Sequence, residues 1–189
     1  MIKTLLILAT ILFALPLSAQ EIVDCKTKTF WYIPGTGTTN YSLLLPAKPK
    51  TTDHPQVIML NNSLVQYLLV STKDFIKAGE DNDEVDLLVR YVTYESQYMA
   101  DTYKGDFNMQ LQMEQLPNGK KALYWYFDVP NSGKDEAKRQ HFIEVITGDT
   151  IFGLAATQFE GQEPETIRKS LVQLISTLTE VKNKDSLCK

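Results

Sequence analysis

Two segments of this chain are apolar on both sides of a two-residue alternation, and strands of that kind must be covered front and back. Residues 121–129 carry Leu123, Trp125, Phe127 and Val129 on one side and Ala122, Tyr124 and Tyr126 on the other. Residues 150–159 repeat the pattern, with Gly153, Ala155 and Ala156 leaving room for a close neighbour. A strand greasy on both sides sits inside a sheet whose two faces are both buried. Two amphipathic segments supply the cover. In the helix predicted over 83–103, Val85, Leu88, Val89, Val92, Ser96, Met99 and Tyr103 recur at three- and four-residue steps. Acids at 80–84 precede it, where they favour the positive end of the helix dipole, and Gly105 ends it. A second helix is predicted over 163–182, with Pro164 at its start and Ile167, Leu171, Leu174, Ile175, Leu178 and Val181 on one stripe. Residues 183–189 read as a tail.

The remaining strands fall between turn signals. Residues 27–33 and 41–45 are short β-prone runs closed by Pro34-Gly35 and by Pro46. Residues 57–60 and 64–70 read as a hairpin about Asn61-Asn62-Ser63, although that turn lacks the usual Gly. Over 107–116, Phe107, Met109, Leu111 and Met113 alternate with Asn108, Gln110, Gln112 and Glu114, and Pro117-Asn118-Gly119 then turns the chain. Residues 140–147 pair with 150–159 across Gly148-Asp149. The order predicts an α+β fold. It is a three-layer α/β/α sandwich with a central, mainly antiparallel sheet and one helix on each face.

Residues 41–46 (YSLLLP) form a short strand closed by proline, and residues 139–159 (RQHFIEVITGDTIFGLAATQF) form a late hairpin ahead of the last helix. With the element order over 40–182, they resemble the PsbP-like α/β/α sandwich. Members of that group are accessory and binding proteins, so the resemblance implies a binding role rather than catalysis.

The N-terminus carries an address. Lys3 precedes an uncharged run over residues 5–15 (LLILATILFAL), and Pro16-Leu17-Ser18-Ala19 places small residues before a cut after Ala19. This is the pattern of a secretory signal peptide over 1–19, with the run too short to span a bilayer. A single secreted or periplasmic domain over 20–189, with its core at about 27–182, is then expected. Gln20 rather than Cys follows the cut, which argues against a lipid anchor, and no later segment is apolar enough to span a membrane. The net charge of −4 and pI near 5.2 argue against a nucleic-acid footprint.

Cys25 and Cys188 bracket nearly the whole exported chain. An oxidising compartment favours a disulfide between them, the alternative being two thiols in separate tails. Neither has a CxxC neighbour, so redox catalysis is not expected.

Chemistry is sparse. The two histidines are His54, in a Pro-bounded loop beside Asp53, and His141, at a strand start. With both cysteines paired, few ligands remain for a zinc site. There is no GxSxG elbow, and Gly35-Thr36-Gly37 lacks the third glycine and the following helix of a phosphate cradle. Asp81, Asp83 and Glu84 resemble the start of a calcium loop, but Val85 and Asp86 stand where a ligand and a turn glycine are needed. No catalytic, metal or cofactor residue is assigned. Aromatic residues are the most suggestive class. Tyr91, Tyr94 and Tyr98, with Leu87, form a stripe about 120° around the first helix from its apolar face. They and Trp31-Tyr32 are candidate partner-binding residues, the alternative being packing; Trp125 is assigned to the core.

The sequence therefore points to a non-catalytic binding or accessory protein of the cell envelope, taking an envelope protein, peptide or glycan. The alternative is a secreted hydrolase or metal-dependent enzyme using His54 or His141. A third option is a domain whose exposed strand edges mediate assembly.

Overall fold

The computed structural model describes residues 21–35, 38–80, 82–103, 108–130, 132–133 and 136–189. The expected signal peptide with its expected cut after Ala19, Thr36 and Gly37 of the GxG, Asp81, Gly105 and Phe107 lie outside these residues. The first strands are β1 (Glu21–Asp24), β2 (Thr29–Pro34), β3 (Asn40–Leu45), β4 (Lys50–Thr51), β5 (Val57–Leu60) and β6 (Ser63–Ser71). Next come α1 (Glu84–Tyr103), β7 (Met109–Gln115), β8 (Lys121–Asp128), β9 (Arg139–Thr147) and β10 (Thr150–Gln158). The chain closes with α2 (Pro164–Ile175) and β11 (Thr179–Val181).

The two-sided strands lie inside a seven-stranded antiparallel sheet of order β4-β5-β6-β10-β9-β8-β7. β10 pairs with β6 and β9, and β8 pairs with β7 and β9. Side-chain alternation sorts the sheet into two faces. Leu123, Trp125, Phe127, Phe142, Ile146, Ile151 and Ala155 cluster with Leu88, Val92 and Met99 of α1. Ala122, Tyr124, Ile143, Val145, Phe152, Leu154 and Ala156 cluster with Ile167, Leu171, Leu174 and Ile175 of α2. The expected α+β class, with one helix on each face, is observed.

The second face carries more than its helix. A four-stranded antiparallel sheet, β1-β2-β3-β11, packs beside α2 and contributes Trp31, Ile33, Tyr41, Leu43 and Leu45 to the same cluster. Trp31 meets Tyr67 edge-on with ring centroids 5.5 Å apart, and Tyr41 meets Phe152 at 5.4 Å.

The helix expected over 163–182 is corrected. α2 stops at Ile175, and residues 179–181 become the edge strand β11 on β3. Ser176 and Thr177 turn their hydroxyls onto Val172 O and Leu174 O, and Thr177 Oγ1 also accepts from Leu44 N–H at 3.0 Å. The β-branched Thr177, Thr179 and Val181 that follow suit a strand better than a helix. Leu178 satisfies the helical stripe only because it is buried in either conformation. The hairpin joining β5 and β6 turns without glycine because Asn61 and Asn62 both take positive φ, at 50° and 63°. Asparagine tolerates that region better than other non-glycine residues.

Cys25 and Cys188 form a disulfide with Cα atoms 5.4 Å apart. Cys25 sits in the β1–β2 turn, where its N–H bonds Lys28 O at 2.8 Å. The expected tail is tied down: Lys184, in a 3₁₀ turn, pairs with Glu21 of β1 at 2.8 Å. Among the described residues no helix is long and apolar enough to cross a membrane.

Candidate functional site

The surface of the α1 layer is built from three pieces. The first is α1 itself, started by Asp83, whose carboxylate accepts from Asp86 N–H at 2.9 Å. The carboxylate that resembled a calcium ligand thus caps the helix. The second is the loop from Phe75 to Asp83. Asn82 closes it by accepting from Lys77 N–H and donating to Lys77 O and Glu80 O. Arg90 of α1 reaches back to Phe75 O at 3.1 Å, Asn82 Oδ1 at 2.7 Å and Glu80 at 3.1 Å. This ties the loop to the helix and holds the Phe75 ring edge-on to Tyr91 and Tyr94, at 5.5 and 6.0 Å. The third piece is β7, whose Met109, Leu111 and Met113 lie opposite Phe127, Trp125 and Leu123 and so share the α1 side.

The predicted partner-binding residues divide. Tyr94 and Tyr98 are 58% and 42% exposed. Tyr91, by contrast, is buried under the Phe75 loop. It is corrected to a packing residue, and so is Trp31, which is fully buried between the two sheets. Tyr32 alternates outward from Trp31 and Ile33, half-buried on the other side of the molecule from α1. Leu111 and Met113, on the apolar side of the β7 alternation, are also exposed, at 53% and 41%. Ile76 and Val89 complete the large exposed apolar side chains among the described residues. All six belong to α1, its lead-in loop or the α1 side of β7.

Under α1 lies a carboxyl with no cation beside it among the described residues. Glu144 of β9 is fully buried, and both its oxygens accept from Trp125 Nε1–H at 3.0 Å. Burial raises its pKa well above the ordinary value; the indole bond opposes this and Glu95 of α1 adds to it. Glu95 is itself raised by burial, and Tyr91 is raised by burial and by both carboxyls. Gly153 makes the space: a Cβ there would meet Glu144 Cγ and Leu68 Cβ at 3.3 Å.

The histidines are not brought together. His141 lies in register with Ala156, Val65 and Ile58 across β9, β10, β6 and β5. His54 lies beyond Ile58, so at least three strand spacings, about 14 Å, separate the two backbones. Both ring nitrogens of buried His141 are engaged, with Tyr124 OH at 2.6 Å and Gln158 Oε1 at 2.9 Å. Gln158 donates its amide to Gln162 O, so its oxygen faces the ring. That assigns the proton to Nε2 and makes Tyr124 the donor to Nδ1. Burial lowers the imidazole pKa and raises that of the Tyr124 hydroxyl. Among the described residues no three His, Cys, Asp or Glu side chains gather to hold a metal ion.

A concavity of about 590 Å³ opens at the end of the sheets, lined by Tyr41, Ser71, Lys73, Thr147, Asp149 and Glu180 among others. Much of its polarity is internally matched. Tyr41 OH donates to Thr150 Oγ1 at 2.9 Å, Thr147 donates to Glu180, and Lys73 lies 3.5 Å from Asp149. The α1 surface differs in offering apolar side chains that stand exposed among the described residues.

No family model matches the chain. No curated protein matches it. Among solved structures the chain is similar to the solution structure of cyanobacterial PsbP (CyanoP) from Synechocystis sp. PCC 6803. The identity is 8% and the TM-score 0.44, covering 89% of this chain and 96% of that one.

Proposed function

We propose that the chain is an exported, non-catalytic binding or accessory module of the cell envelope, and that it takes a protein partner on the face carrying α1. One observation carries the reading: all six large apolar side chains exposed among the described residues fall on that face. Rigid amphipathic rings such as Tyr94 and Tyr98, set among aliphatic side chains, suit a protein surface. The loop from Phe75 to Asp83 is tied down by Asn82 and Arg90, so little ordering cost remains for binding. The disulfide supports export, because such bonds persist in oxidising compartments. His141 favours a structural role over catalysis, since both its ring nitrogens are already bonded inside the protein.

The test is capture from a native envelope extract by the immobilised chain, beside the Tyr94→Ala/Tyr98→Ala variant and a glycan array. Retention of a defined protein by the wild type, its loss in the variant with the circular dichroism unchanged, and a blank array are expected. Capture that is indifferent to the two tyrosines, or binding to glycans alone, refutes the reading.

A further inference from the structure

We infer that β7 is the pairing edge for a second copy of this chain, joining two seven-stranded sheets antiparallel about a two-fold axis at Gln112. The inference goes beyond the partner face proposed above.

Sheet edges carry unpaired backbone groups, and proteins blunt them with short strands, charges, prolines or bulges. Of the four sheet edges among the described residues, three are blunted. β4 has two residues and carries Lys50. β1 has four and is bracketed by Glu21 and Asp24, each ion-paired to a lysine. β11 has three and carries Glu180. β7 is different: seven residues, MQLQMEQ, without lysine or proline, its one charge, Glu114, held by Arg168 of α2, in unbroken register with β8 from Met109↔Phe127 to Gln115↔Lys121.

The backbone geometry is self-complementary. Leu116 N–H bonds Lys120 O at 2.9 Å, so Leu116 points toward the β8 side. Strand alternation then turns the N–H and C=O groups of Gln110, Gln112 and Glu114 inward, and those of Met109, Leu111, Met113 and Gln115 outward. With the dyad at Gln112, Leu111 faces Met113 of the other copy and Met109 faces Gln115. Every outward group then meets an outward group, giving about eight inter-chain hydrogen bonds.

The side chains agree with that register. On the α1 side, Leu111 and Met113 from both copies form an apolar quartet, covering the two most exposed aliphatic side chains of the strand. On the α2 side, the Gln110 amide lies opposite the Glu114 carboxylate. Like charges do not confront each other, because Arg168 of α2 already pairs with Glu114. Tyr94, next to Phe75, lies on the other flank of α1, away from β7.

The experiment is sedimentation velocity from micromolar to millimolar protein, on the wild type and on two double variants, Leu111→Lys/Met113→Lys and Leu111→Glu/Met113→Glu. The expected result is a concentration-dependent dimer for the wild type, monomers for each variant alone, and a dimer when the two variants are mixed. Register is read by oxidative cross-linking: Gln112→Cys meets itself at the dyad and links two copies, whereas Gln110→Cys does not. A wild type that stays monomeric throughout, dimers indifferent to the charge variants, or equal cross-linking at both positions overturns the inference.

Discussion

Replacing Glu144 with Gln should change how the stability of this protein depends on pH, and the direction follows from the pocket. The carboxyl is fully buried, its one hydrogen-bond donor is the indole of Trp125, and Glu95 of α1 adds negative charge nearby. Its folded pKa lies well above the ordinary 4.5. Between those two values the folded chain holds a proton that the unfolded chain has released. Stability therefore falls as pH rises through the window, by about 1.4 kcal/mol per pH unit. For a chain of this size that is roughly 3–5 °C of melting temperature per unit. Gln keeps the shape and an acceptor for the indole but does not titrate. Its amide N–H groups need partners in an apolar pocket, at a pH-independent cost of about 1–3 kcal/mol. Urea unfolding of both proteins from pH 5 to 8 gives a difference curve from which groups common to the two largely cancel. Glu144→Gln should start level with or below the wild type at pH 5 and gain on it steadily as pH rises. A flat difference curve refutes the buried, uncompensated carboxyl.

Other consequences are smaller in scope. His141 acts with the opposite sign: its folded pKa is held below 6.5 by burial, so its share of stability is present above that value and is lost as pH falls through the window beneath it. A His141→Gln variant should lose that acid-side slope in the same urea series. Tyr124→Phe leaves His141 Nδ1 without its donor at 2.6 Å and should cost about 1–3 kcal/mol, with a shifted imidazole nitrogen resonance in NMR. Reducing the Cys25–Cys188 bridge opens a loop of sequence separation 163, worth up to about 5 kcal/mol in the chain-entropy model; urea midpoints with and without reductant measure it. Tyr94→Ala and Tyr98→Ala, at exposed positions, should each change the unfolding free energy, read from urea curves, by no more than about 0.5 kcal/mol while abolishing partner capture.

What the chain disclosed in advance was whatever depends on local pattern. Alternating apolar sides identified β8 and β10 as interior strands, and helical spacing with acids ahead of it identified α1 to within a residue at its start. What stayed hidden depends on neighbours distant in sequence. Met109, Leu111 and Met113 alternate as a buried strand does, and nothing local says that β7 has a partner on one side only. Trp31 and Tyr91 carry the chemistry of binding residues, and only the second sheet and the Phe75 loop bury them. Leu178 and Val181 fit a helical stripe, but the open edge of β3 competes for that segment and wins. Glu144 was legible in principle: a lone carboxylate between Ile143 and Val145 in a strand otherwise buried on both faces signals a buried acid.

The uneven surface follows from the dimensions of the layers. Seven strands span about 29 Å, whereas one helix with its side chains covers about 10–12 Å. On the α2 face a four-stranded sheet makes up the difference. On the α1 face the helix packs over β8 and β9, leaving a margin on either side. The margin toward β6 is filled, because the loop from Phe75 to Asp83 folds onto the helix through Asn82 and Arg90. The margin toward β7 is left with Leu111 and Met113 open. Polar residues at 111 and 113 would have suited a margin left to water at little packing cost, since both side chains are exposed. Methionine and leucine there, on the one long edge among the described residues without lysine or proline, make sense if the margin is covered by another chain.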